Sequence, residues 1–162
     1  MFELLNSVPI FNGIEAVHLE VLKPRFEFFN CSPGQVIFNQ GDPAVYLYII
    51  LHGIMVIRYK PYDGPEMTLT QLHEGSACGW SSVIGNPSYT TTVISKGSLE
   101  TIRIKGEELR DICKKYPETG EVVLDRLAHS VSKRWKDANL QIRQILDSEN
   151  TQNAKIRAKV KV

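Results

Sequence analysis

The sequence predicts a mainly β fold: an antiparallel β jelly roll preceded by short helices and followed by one long C-terminal helix. Three observations carry this reading. Six short runs rich in β-branched and aromatic residues fall between Val36 and Ile104. Turn signals built on Gly, Pro and Asp separate them at roughly 8–12-residue spacing, as in barrels and jelly rolls. Apolar residues at helical spacing flank this stretch on both sides.

The elements follow in order. The first 30 residues read as helical pieces. Phe2–Asn6 is short, and Pro9-Ile10-Phe11-Asn12-Gly13 breaks it. From Ile14, Val17, Val21 and Leu22 recur near helical spacing until Pro24 stops the run. Strands are expected at Val36–Phe38, Tyr46–Leu51, Ile54–Tyr59, Met67–Leu72, Thr90–Ser95 and Leu99–Ile104. The turns between them include Pro33-Gly34, Gly41-Asp42-Pro43, His52-Gly53, Asp63-Gly64-Pro65 and Glu74-Gly75. Gly79–Gly85 (GWSSVIG) is too polar for a core strand and fits a single helical turn. Glu107–Tyr116 is a helix with acids early and Lys114 and Lys115 late, as the helix dipole favours.

Beyond Pro117 lies a longer helical run. Leu124, Ala128, Val131, Trp135, Ala138, Ile142 and Ile145 alternate at four- and three-residue spacing, the a and d positions of a heptad. A helix packed only on its own barrel would show a broader stripe, and Leu127, Leu140 and Leu146 do broaden this one. The regular spacing favours a coiled-coil homodimer. Residues 1–147 are expected to form one domain that includes the long helix, 118–147, and 148–162 a basic, flexible tail.

Composition excludes several classes. With 43% hydrophobic and 23% charged residues, the 162-residue chain is globular rather than disordered. No apolar run approaches the ~18–20 residues of a membrane helix, and MFELLNSVPIF lacks the basic start of a signal peptide, so a cytoplasmic protein without membrane contact is expected. The net charge of +1 argues against direct nucleic-acid binding. The charge is uneven, however. Pro61–Ser95 contains no Lys or Arg, while the basic excess lies after residue 104. Cys31, Cys78 and Cys113 are few and widely spaced, which predicts reduced thiols. His18, His52, His73 and His129 form no metal-ligand pattern. Ser81-Ser82 is not a nucleophile elbow. No catalytic residue, metal or cofactor is expected.

The order of elements and several local motifs resemble the cyclic nucleotide-binding domain family, over about residues 4–147. LLNSVPIFNGI is similar to the family's N-terminal entry, and Gly34, Ile37-Phe38, Gly41-Asp42, Leu47-Tyr48-Ile49 and Gly53 match its strand-and-glycine signature. The resemblance implies a ligand site at GWSSVIG and the residues after it. In the family, a Gly-Glu pair opens a short helix whose backbone N–H groups bind the cyclic phosphate, and the Glu takes the ribose hydroxyl. An Arg about nine residues later pairs with the phosphate. Here Gly79 is kept, Trp80 stands where the Glu would be, and Tyr89 stands where the Arg would be.

Loss of two charged partners, at about 2–5 kcal/mol each, predicts weak binding of cyclic AMP or GMP. Arg58 and Arg103 lie in regular strand segments that give no sign of replacing them. Gly79, Trp80, Ser81, Ser82, Tyr89, Thr90 and Thr91 are therefore the candidate contacts for an uncharged or aromatic small molecule. The competing expectation is that Trp80 and Tyr89 fill the vacated space as core. Only 15 residues follow Asp147, too few for a helix-turn-helix domain. The expected function is a regulatory or sensory domain, dimerising through its C-terminal helix. The alternative is a module without ligand that binds a partner protein.

Overall fold

The structure, a computed structural model, describes residues 2–130. Helix α1 (Phe2–Ser7), a 3-10 turn at Pro9–Phe11, helix α2 (Ala16–Leu22) and a second 3-10 turn at Lys23–Arg25 precede the sheets. Eight strands follow: β1 (Glu27–Cys31), β2 (Val36–Phe38), β3 (Tyr46–His52), β4 (Met55–Tyr59), β5 (Met67–Leu72), β6 (Ala77–Cys78), β7 (Thr92–Ser95) and β8 (Leu99–Lys105). Helix α3 (Trp80–Ile84) interrupts them between β6 and β7, and α4 (Gly106–Lys115) follows β8. A further helix, α5, occupies 117–130 of the described residues.

The strands form two antiparallel four-stranded sheets, β1-β8-β3-β6 and β2-β7-β4-β5. Apart from the β4–β5 hairpin, all sheet neighbours are non-consecutive along the chain, which marks the jelly roll. The first sheet is covered on both faces. Leu47, Ile49, Ile102 and Ile104 point outward to Leu5, Phe11, Leu19, Leu22, Leu109, Ile112, Val123 and Leu127 of the helices. Tyr48, Ile50 and Leu99 point inward to Phe38, Met55, Ile57, Leu72 and Val93 of the second sheet. Alternation along β3 and β8 therefore separates two apolar layers rather than an apolar face from a wet one.

Two strands depart from the sequence expectation. Residues 27–31, read as part of a helical region, form β1, which pairs antiparallel with β8 from Glu27↔Arg103 to Cys31↔Leu99. The pairing partner lies far along the chain, so no local signal announces it. The two-residue β6, unassigned in the sequence, pairs Cys78 with Tyr48 and Ala77 with Ile49. Among the remaining elements, Gly79–Gly85 does form the single helical turn, α3.

On α5, Val123 and Leu127 are buried in the helix layer, Leu124 is partly buried against it, and Ala128 is exposed. The first two residues of the heptad thus lie beside the stripe that packs on the domain's own core. Val131, Trp135, Ala138, Ile142 and Ile145 lie outside the described residues, as do the domain boundary at 147 and the basic tail.

Candidate functional site

The stretch from Cys78 to Thr92 leaves the first sheet, turns once as α3 and enters the second sheet. Gly79 caps α3 with φ +90°, and a Cβ at this position would collide with the backbone oxygen of Tyr46. Both conditions require glycine. Gly85 ends the helix with φ +81° and returns its N–H to Ser81 O. The hydroxyl of Ser82 donates to Gly79 O at 2.7 Å, so this side chain closes the turn. Ser81 and Ser82 are both buried.

α3 is seated against α4. A Cβ on Gly106 would collide with Ser82 O, so the start of α4 packs directly on α3 backbone. Nη1 of Arg110, on α4, donates to Ser82 O and, at 3.4 Å, to Val83 O. A cation thus satisfies the carbonyl end of a helix too short to satisfy itself.

Tyr89 is committed to the interior. It is 5% exposed, and its ring stacks on Phe38 with centroids 3.7 Å apart. The hydroxyl donates to Tyr46 O at 2.7 Å and accepts from Tyr46 N–H at 2.9 Å. Its backbone is clamped by the Gly41-Asp42 turn: Tyr89 N–H donates to Asp42 O, and Gly41 N–H donates to Tyr89 O, both at 2.9 Å. Burial pushes the Tyr89 phenol up, because an ionised ring would lose its water, and the backbone hydrogen bond at Tyr46 offsets this only in part.

Trp80 goes elsewhere. It is half-buried against the helix layer, on the opposite side of the first sheet from Tyr89. Its indole Nε1 is buried and has no acceptor among the described residues. Thr91 is half-buried and Thr90 exposed. The structure therefore brings Gly79, Ser81 and Ser82 together in one turn, while Trp80 and Tyr89 do not share a wall.

Arg103 is the residue whose role the sequence did not signal. Leu99 and Thr101 alternate inward along β8, and Arg103 follows them in register. Its guanidinium lies 4.4 Å from the Phe29 ring centroid and 4.1 Å from that of Tyr46. Nε donates to Glu27 Oε1 at 2.7 Å. Burial opposes its charge, but Glu27 and a hydrogen bond to Tyr48 more than offset this and hold it above the usual arginine range. Burial likewise pushes the Tyr48 phenol well up, with Tyr89 adding to the shift and Arg103 opposing it. The barrel interior is thus not free of cations, although Pro61–Ser95 contains none. Arg58, by contrast, lies on the face of β4 opposite Met55 and Ile57, with Nη1 3.5 Å from Glu66.

The polar clusters elsewhere are modest. His52 Nδ1 and Glu74 Oε1 lie 2.6 Å apart at the edge of an open surface depression that also includes His73. His18 meets Thr119 at 2.7 Å, tying α2 to the start of α5. Among the described residues no three His, Cys, Asp or Glu converge as metal ligands, and no helix is long and apolar enough to cross a membrane.

Comparison with known proteins agrees with this architecture. The sequence profile of a family described as "Cyclic nucleotide-binding domain" matches residues 28–116. The chain is 27% identical over 128 residues to a "CRP-like cAMP-activated global transcriptional regulator" of Mycobacterium tuberculosis, covering 79% of this chain and 57% of that protein. Among solved structures, a cyclic nucleotide-binding domain from Methylobacillus flagellatus superposes with a TM-score of 0.77 at 18% identity, covering 88% of this chain and 80% of that one. A regulatory subunit of a cAMP-independent protein kinase A from Trypanosoma cruzi, solved bound to guanosine, gives a TM-score of 0.67 at 19% identity, covering 86% of this chain and 49% of that one. The chain spans little more than half the length of the mycobacterial regulator.

Proposed function

This chain belongs to the cyclic nucleotide-binding domain family, and from that premise we propose that it is a regulatory domain responding to a small molecule other than cyclic AMP or GMP. The observation that carries the reading is Tyr89. Where the resemblance implies a phosphate-pairing Arg, this side chain is buried, stacked on Phe38 and bonded twice to the Tyr46 backbone. It offers no charge to a phosphate. Trp80, in place of the ribose-binding Glu, adds none.

The size of the loss supports the reading. A buried charged partner is worth about 2–5 kcal/mol, so the absence of both weakens cyclic nucleotide binding by several orders of magnitude, at roughly 1.4 kcal/mol per tenfold. A ligand other than a cyclic nucleotide has a parallel in the trypanosomal neighbour, a cAMP-independent regulatory subunit solved bound to guanosine. Gly79, Ser81, Ser82, Thr90 and Thr91 remain the candidate polar contacts around the turn.

The output would pass through α3. Because α3 touches α4 at Gly106 and Arg110, a ligand that displaces the turn would also displace α4, and with it α5. Only a ligand with different affinity for the two positions would do so. We place dimerisation on Leu124, Ala128, Val131, Trp135, Ala138, Ile142 and Ile145, from their heptad spacing. The partial exposure of Leu124 and exposure of Ala128 support this assignment.

A second reading has support from the same tyrosine. Its ring fills barrel space, which favours an interaction module with no ligand and a partner protein instead. Thermal-shift measurement separates the two, because a ligand that binds only the folded state raises Tm. A panel of uncharged and aromatic metabolites should produce a rise. A response to nothing selects the module, and a strong response to cyclic AMP overturns the reading of Trp80 and Tyr89.

A further inference from the structure

The environment of Arg103 has the form of a prepared anion site. Its guanidinium lies over the rings of both Phe29 and Tyr46, at 4.4 and 4.1 Å from their centroids. Nε donates to Glu27, and Tyr48 stands beside the same guanidinium, whose planar fork carries five N–H groups. The side chain is 22% exposed and that of Glu27 52%, so the cluster stands at a mouth of the barrel rather than sealed within it. A fork fixed in this way has already lost its rotamer freedom, and binding an oxyanion then costs little further ordering.

The position relates this cation to the turn around α3. Arg103 lies across from Tyr48 in the β3–β8 pairing, and Tyr48 lies across from Cys78, the residue before Gly79. Tyr46, whose ring covers the guanidinium, accepts the Tyr89 hydroxyl through its carbonyl. Arg103 therefore borders, through Tyr46 and Tyr48, the same segments that lack a charge of their own. The Glu27 carboxylate beside it disfavours a dianion, and the surrounding rings favour an aromatic body.

We propose that Arg103 pairs with the carboxylate of a small aromatic monoanion bound at this mouth, with Glu27 competing for the same guanidinium. The proposal rests on the reading that the domain responds to a small molecule, and adds the charge and chemical class of that molecule.

The full chain, its Arg103→Gln variant and its Glu27→Gln variant are titrated at neutral pH with 1-naphthoate, its uncharged amide 1-naphthamide, inorganic phosphate and cyclic AMP. Binding is read by thermal shift and calorimetry. The expected result is a rise in Tm with naphthoate that the amide and phosphate do not reproduce. Arg103→Gln should weaken naphthoate at least about tenfold, the scale of a charged hydrogen bond. Glu27→Gln should strengthen it several-fold, a gain that a misfolded variant does not give. Equal responses to naphthoate and its amide overturn the proposal, as does an equal response to phosphate or an Arg103→Gln variant that binds as well as the parent. Silence towards all four probes also overturns it, while a response elsewhere in the wider metabolite panel keeps the ligand-responsive reading. A response to cyclic AMP alone overturns both.

Discussion

A tyrosine that is 5% exposed, with a hydroxyl that gives one hydrogen bond to a backbone carbonyl and takes one from the same residue's N–H, is costly to truncate. Tyr89→Phe keeps the stack on Phe38 but leaves both backbone groups of Tyr46 without this partner. The expected loss is about 1–3 kcal/mol, measured as a lower urea midpoint with unchanged slope. Tyr48 and Tyr89 also set an alkaline limit. Both phenols are raised in the folded state, so the stability they contribute is fully present below the ordinary tyrosine value of 10.0 and is lost as pH rises through the folded values. Stability should therefore fall above about pH 10, and Tyr48→Phe should flatten the decline. An equally steep decline in that variant would assign the effect to other groups.

At the scale of elements, α3 is a five-residue helix held by its surroundings more than by its own hydrogen bonds. Gly79 lets it approach Tyr46, Gly106 lets α4 approach it, and Arg110 satisfies its terminal carbonyls. Arg110→Ala should cost about 0.5–1.5 kcal/mol globally, since the arginine is largely exposed. The larger effect is local: amide exchange over 80–84 should accelerate more than exchange in β3 or β8. Uniform acceleration across all three would mean that Arg110 supports the whole domain rather than this helix. β1 illustrates the converse dependence. Its Phe28 is 54% exposed and Phe29 turns inward beside Arg103, so no clean period marks residues 27–31. Pairing with β8 makes it a strand, and that partner arrives only when the chain has closed the roll.

For the molecule as a whole, the first sheet serves as a shared wall between a helix layer and a barrel interior. Val123 and Leu127 anchor α5 to the helix layer, and the proposed dimerisation rests on the heptad spacing of the residues beside them. Val131→Asp or Ile142→Asp should convert a dimer to a monomer in sedimentation experiments, because a charge at an a or d position is buried without a partner. An unchanged mass in both variants would remove the coiled coil from the proposed function.

Much of this architecture was legible beforehand where the signal is local. The turns at Gly41-Asp42, Gly53 and Gly79 require positive φ, so their glycines mark the chain at fixed places. The runs from β2 to β5, and β7 and β8, carry their own β-branched and aromatic composition. The candidate site was legible only in part. That Trp80 and Tyr89 bring no charge is a matter of composition, and the sequence alone determined it. Where they go is not: β6 and α3 send one to the helix layer and the other to the barrel interior. Arg103 shows the limit most clearly. Along β8, Leu99 and Thr101 face one layer, Ile102 and Ile104 the other, and both faces are buried. With no wet face to orient the alternation, a lone arginine reads equally well on either side. Only the pairing of β8 between β1 and β3 decided that it turns inward to Glu27, Phe29 and Tyr46, and so restored a cation to a region whose own sequence has none.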